Sequence, residues 1–352
     1  MAKARNGNFF EDFRLGQRLA HGVPRTVGSG DAALYLALTG SRFPLACSDP
    51  FARSLSLPAA PLDELIIFHV VFGRTVADIS LNALANLGYA EGRFGVPVYS
   101  GDTLTAASEV IGLRETSNRT AGVVYVRSTG QNQRGEAVVE YTRWVLLPKR
   151  DRDAPAPAAL VPSLADHVAV ADLAVPDGLD AGRYDVAVTG AAELWDDYSE
   201  GERIDHLDGA TIEEAEHMLA TRLYQNPARV HFNQHRQAAT KLGHRLVYGG
   251  HAISLARALS FNGLANAFRV AAINGGRHVA PCFAGDTLYA WSQVLAKAAL
   301  PGRSDLGALR LRTVAAKDHP CADFPRLGED GKDHPAVVLD LDTWVLMPRR
   351  MP

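Results

Sequence analysis

The stretch TRLYQNPARVHFNQHRQAATKLGHRLVYGGH, residues 221–251, places a side-chain amide (Asn226) five residues before an imidazole (His231). Two adjacent glycines, Gly249 and Gly250, then open the apolar run Ala252-Ile253-Ser254-Leu255. We read a polar loop carrying a catalytic pair, followed by the start of a buried helix whose free backbone N–H groups can hold a developing oxyanion. The glycine pair has a second reading, a tight turn.

Outward from this stretch, the chain repeats itself. Phe10-Glu11-Asp12-Phe13 with Gly16 recurs as Trp195-Asp196-Asp197-Tyr198 with Gly201, a shift of 201 − 16 = 185. Ser80 to Asn86 recurs as Ser260 to Asn266, Gly101-Asp102-Thr103-Leu104 as Gly285-Asp286-Thr287-Leu288, and Trp144 to Arg150 as Trp344 to Arg350. Matches in one order mark a tandem duplication, with a period too long for a solenoid unit. The expected units are residues 1–150 and 191–352, joined by a connector over 151–190 rich in proline and alanine. Within the connector, 168–175 reads as a strand that could pack on one of the units.

Both halves show the same succession. Thr211 and Glu214 have capping-box spacing and predict a helix over 211–223. Apolar helices are expected over 252–264 and, with a break, over 62–87. Strands are expected at 103–111, 121–129 and 137–147, and at 287–296, 309–315 and 337–347. A helix too apolar for a surface position, followed by long antiparallel strands, predicts an α+β fold in which a curled sheet wraps around a buried helix.

At 352 residues with 47% hydrophobic and 21% charged, the chain can bury sizeable cores. A net charge of −3 leaves no basic footprint for nucleic acid or an anionic membrane. The three cysteines, Cys47, Cys282 and Cys321, form no C-x-x-C and fit a reducing compartment. No apolar run nears the length of a membrane span and the N-terminus lacks a signal peptide's apolar core, so a soluble cytoplasmic protein is expected.

The polar loop with its imidazole, the glycine-led buried helix and the antiparallel strands resemble the hotdog fold of the MaoC-like, (R)-specific enoyl-CoA hydratases. Two copies in one chain resemble the double-hotdog members. LYQNPARVHF followed by VYGGHAISLARALSFNGLANA is similar to the mesaconyl-CoA (2-methylfumaryl-CoA) hydratase, or β-methylmalyl-CoA dehydratase, branch. The resemblance implies a lyase that reversibly adds water to mesaconyl-CoA to give β-methylmalyl-CoA, acting on a CoA thioester without a cofactor. In that family an Asp and a His five apart hold and activate the water. His231 matches the His, but Asn226 stands at the Asp, and an amide cannot take up a proton. Asn226 is therefore expected to position water through its carbonyl and leave proton transfer to His231. Gly249 matches the oxyanion glycine, with Gly250 beside it.

The duplication supplies a control. At a shift of 185, Asn226 corresponds to Ser41, His231 to Ala46 and Gly249 to Glu64. The first half has lost all three together, so catalysis is expected in the second half alone. Arg229 is either a clamp for a substrate carboxylate or a surface arginine, and Tyr248 and His251 are candidates for lining the site, His251 equally for capping the helix. His231, His235, His244 and His251 lack the carboxylate or cysteine that would make a zinc set, so no metal is expected. Two other functions compete. One is hydration of linear enoyl-CoA; the other is thioester hydrolysis by a carboxylate at the first buried helix, Asp63 or Glu64. A homodimer stays open.

Overall fold

The computed structural model describes residue 3 and residues 5–350. Its strands are β1 (Arg18–Thr26), β2 (Ala85–Phe94), β3 (Thr103–Glu115), β4 (Ala121–Gln131) and β5 (Ala137–Pro148) in the first half. The second half has β6 (Arg203–Thr211), β7 (Arg269–His278), β8 (Thr287–Ala299), β9 (Leu306–Lys317) and β10 (Val337–Pro348). They form one ten-stranded sheet in the order β1-β3-β4-β5-β2-β7-β10-β9-β8-β6, which reads as the same five-strand unit twice, back to back.

Each unit wraps a helix, Glu64–Ile79 in the first and Gly249–Leu259 in the second. Twelve of the sixteen residues of Glu64–Ile79 are buried, which is why its sequence shows no polar face. Asp63 caps this helix by accepting from Leu65 N at 2.8 Å.

The halves meet about a pseudo-twofold axis. Strand β2 pairs antiparallel with β7, and Ala90 lies opposite Gly275, a separation of 275 − 90 = 185. His69 Nε2 and Ser254 Oγ, also 254 − 69 = 185 apart, lie 2.8 Å from each other. Equivalent positions touching is the signature of a twofold contact.

The same register resolves a discrepancy in the repeat. Arg229–Phe232 and Pro44–Cys47 are both one-turn helices 185 residues apart, and the central helices begin at Gly249 and Glu64, again 185 apart. The later Ser80/Ser260 match runs at 180 because the second central helix has 11 residues and the first 16.

Several expected boundaries are corrected. Thr211 ends β6, and the helix runs Glu214–Leu223, with Glu213 and Glu216 forming the capping pair. The second buried helix starts earlier, at Gly249, and Phe261–Leu264 is a separate turn broken at Asn262 and Gly263. The first buried helix ends at Ile79; residues 80–84 form a turn and 85–87 open β2. Residues 168–175 do pack on the sheet, but around a short 3₁₀ turn, Val170–Asp172, not as a strand. Val168 and Leu173 are buried there in a cluster with Phe51, Phe268 and Trp344.

Gly73 is where the first central helix meets the second half: a Cβ built on it would lie 2.0 Å from the Tyr224 carbonyl oxygen. Gly73→Ala should therefore destabilise the protein by about 1–3 kcal/mol in chemical denaturation. Gly22→Ala, with nothing within 4 Å of the added methyl, should stay within about 0.5 kcal/mol.

Candidate active site

A cavity of about 370 Å³ opens between the two central helices and is lined from both halves. Asn226, His231, Tyr248 and Gly249 contribute from the second half, and Phe72, Tyr89 and Arg143 from the first. The sequence delivers these groups through short elements. Asn226 follows the helix Glu214–Leu223 after one turn, and His231 rides on Arg229–Phe232.

His231 Nδ1 lies 2.8 Å from the Leu246 carbonyl. A carbonyl only accepts, so Nδ1 carries the proton and the Nε2 lone pair is left as a base. Burial pushes His231 down to about 4, the bond to Leu246 opposing the shift and His217 adding to it. The imidazole is thus neutral at physiological pH. The Tyr248 ring packs edge-on against it, with centroids 5.6 Å apart.

Asn226 is 2% exposed, and its side-chain oxygen accepts from Ala228 N at 3.0 Å. One lone pair of this oxygen is thus held by the turn, and its other lone pair and the amide nitrogen remain for a ligand.

Tyr248 is the N-cap and Gly249 the first residue of the central helix, so the Gly249 and Gly250 amides belong to a first turn without intrahelical acceptors. Gly249 faces the cavity, where a Cβ would meet the His278 ring at 2.4 Å. Gly250 packs beneath Tyr248 and His69, whose atoms a Cβ would meet at 2.4 and 2.6 Å. Gly250 is thus a packing glycine, and Gly249 is the one at the cavity wall.

Two other expectations change. Arg229 points away from the cavity and donates to Asn82 Oδ1 and the Asn6 carbonyl, tying the loop to the first half. His251 is fully buried and meets Glu216 Oε1 at 2.6 Å, so neither lining the cavity nor capping the helix describes it. His235 and His244 are exposed. Asp63 is the helix cap, and Glu64 forms an ion pair with Arg269 at 3.1 Å. Neither carboxylate lines the cavity, which removes the geometric basis for the thioesterase reading.

Three lining residues escaped the sequence reading. His278, at the end of β7, faces Tyr89 of β2, with Nε2 and the phenol oxygen 3.1 Å apart. Burial, reinforced by His231, pushes His278 down to about 4. Arg143 enters from β5. The pairing of β2 with β7 brings Tyr89 to His278, and no local pattern announces it.

Residues 1–323 match the family model for mesaconyl-CoA hydratase. A β-methylmalyl-CoA dehydratase of Chloroflexus aurantiacus is 63% identical over 349 residues, 99% of either chain. A mesaconyl-CoA hydratase of Cereibacter sphaeroides is 59% identical over 349 residues, covering 99% of this chain and 100% of the relative. Among solved structures, a MaoC domain protein assigned as a dehydratase from Chloroflexus aurantiacus superimposes with a TM-score of 0.98 at 63% identity over 100% of both chains. A double-hotdog protein of Mycobacterium tuberculosis does so with a TM-score of 0.73 at 25% identity, covering 97% and 98%. The chain therefore belongs to the mesaconyl-CoA hydratase family, among the MaoC-like double-hotdog hydratases and dehydratases.

Proposed function

We propose that the protein reversibly adds water to mesaconyl-CoA to give β-methylmalyl-CoA. The observation that carries this reading is a neutral imidazole, tautomerically fixed by Leu246, in one cavity with a glycine-led helix start. Water adds at Cβ as His231 Nε2 takes its proton, and the same imidazole returns a proton to Cα. The Gly249 amide accommodates the negative charge that collects on the thioester oxygen, and the absent Cβ makes room for the His278 ring beside it. The Asn226 amide nitrogen donates to the water and orients a lone pair toward Cβ. Dehydration is the reverse of these steps.

The direct test is loss of enoyl-thioester ultraviolet absorbance on mixing the protein with mesaconyl-CoA, with crotonyl-CoA beside it to separate a branched dicarboxylic substrate from a linear enoyl one. No turnover of mesaconyl-CoA rejects the reading. His231→Ala should lower kcat by roughly 10²- to 10⁴-fold, the usual contribution of a positioned acid–base group. A variant within a few-fold of wild type would remove the proposed proton path.

The pH profile gives a second check. Hydration needs the unprotonated imidazole, and burial holds His231 neutral down to about 4. With kcat/KM reporting the free enzyme, activity should stay level from pH 8 to about 5 and fall on the acid side with a midpoint near about 4. A midpoint near ~6.5 would belong to a solvated imidazole and contradict the site described above.

A further inference from the structure

Arg143 is a cation in the cavity wall that the water-addition steps leave unused. It is 0% exposed, and among the described residues no carboxylate lies within ion-pair distance of it. Its guanidinium donates only to hydroxyls, Thr75 Oγ1 at 2.8 Å and Ser80 Oγ at 3.2 and 3.3 Å, while Nε has no partner. The Phe72 ring lies 4.2 Å beneath it. The ionisable groups that favour its charge are the phenols of Tyr141, Tyr89 and Tyr248, which burial keeps protonated, and His21 lies within reach of its field. Asp78 is engaged by His21 at 2.9 Å.

A buried cation without an anion is costly, and proteins keep such groups where a ligand completes them. Arg269, the other fully buried arginine, illustrates the ordinary solution, since Glu64 sits 3.1 Å away. The duplication sharpens the contrast. Trp144 matches Trp344, so Arg143 stands where the second half has Thr343, also buried. A core strand position thus carries an arginine only in the copy where it lines the cavity that holds the other half's imidazole.

We infer that Arg143 is the specificity residue for a carboxylate carried by the acyl chain, so that the first half reads the substrate and the second half transforms it. This rests on the proposed hydration of mesaconyl-CoA. In that substrate the free carboxylate is bonded to Cβ, the carbon that receives the hydroxyl. A guanidinium on this carboxylate fixes Cβ relative to His231 and offsets the repulsion a neighbouring anion exerts on the incoming oxygen. Arg143 acts on binding and on turnover alike, and it takes the place that the sequence reading assigned to Arg229.

Two measurements test this. In the wild-type protein, succinyl-CoA and butyryl-CoA have acyl chains of equal length and differ in the terminal carboxylate. Succinyl-CoA should compete with mesaconyl-CoA about 10-fold or more tightly, and equal inhibition overturns the carboxylate site. In Arg143→Met, the ratio of kcat/KM for mesaconyl-CoA to that for crotonyl-CoA should fall by roughly 10²-fold or more, with Arg143→Lys between the two. If Arg143 only braces Thr75 and Ser80, both substrates lose the same factor, the ratio stays put, and the inference fails while the hydratase reading stands. A wild-type protein inert toward mesaconyl-CoA overturns both. Should Arg143→Met not fold, the lysine variant and the wild-type inhibitor pair still decide the matter.

Discussion

Each five-strand unit alone would present a long edge, β2 or β7, with a row of unpaired backbone N–H and C=O groups. Pairing these two edges satisfies both and joins the units into a single sheet. The geometry of the site follows from that contact. It sets Tyr89 against His278, presses Gly73 against the Tyr224 carbonyl and leaves a cavity between the two central helices. The close approach at Gly73 admits no side chain, so the segment that leads into Asn226 is held to the first half by packing as well as by strand pairing.

With the halves locked about a pseudo-twofold axis, a symmetric pair would have two equivalent sites. The chain has departed from symmetry at the level of single side chains. At the helix start Glu64 replaces Gly249 and is neutralised by Arg269, which fills the equivalent place with an ion pair. Ala46 replaces His231 on the matching one-turn helix. The first half is therefore free to contribute walls: Phe72 and Tyr89 as apolar and aromatic surface, and Arg143 as charge.

The cavity's chemistry depends on removal from water. Burial depresses His231 and His278 and raises the surrounding tyrosines, so these groups stand in their neutral forms at pH 7. A neutral imidazole whose Nδ1 is committed to a backbone carbonyl has one basic nitrogen, with its direction set before substrate arrives. In such surroundings the cationic Arg143 stands out, since nothing nearby balances it.

Much was written locally. The apolar runs that begin near 62 and 252, the strands β3, β4, β5, β8, β9 and β10, and the matched motifs of the two halves all come from periodicity and repetition, which depend on near neighbours in the chain. The loop with Asn226 and His231 and the glycine at the helix start are likewise visible as residue types at fixed spacing. The central strands β2 and β7 were not, because both are short of clear alternation and take their structure from pairing with each other. The same limit explains the side chains. Arg229 looked poised for the site by position, yet the fold turns it onto Asn82, and His251 is drawn inward by Glu216. Tyr89, His278 and Arg143 lie 54 to 189 residues apart along the chain, and only the meeting of the two halves brings them to one cavity. Local sequence determines which elements form and which chemical groups they carry. Tertiary structure decides which of those groups face each other, because burial and pairing are set by contacts between segments distant in the chain.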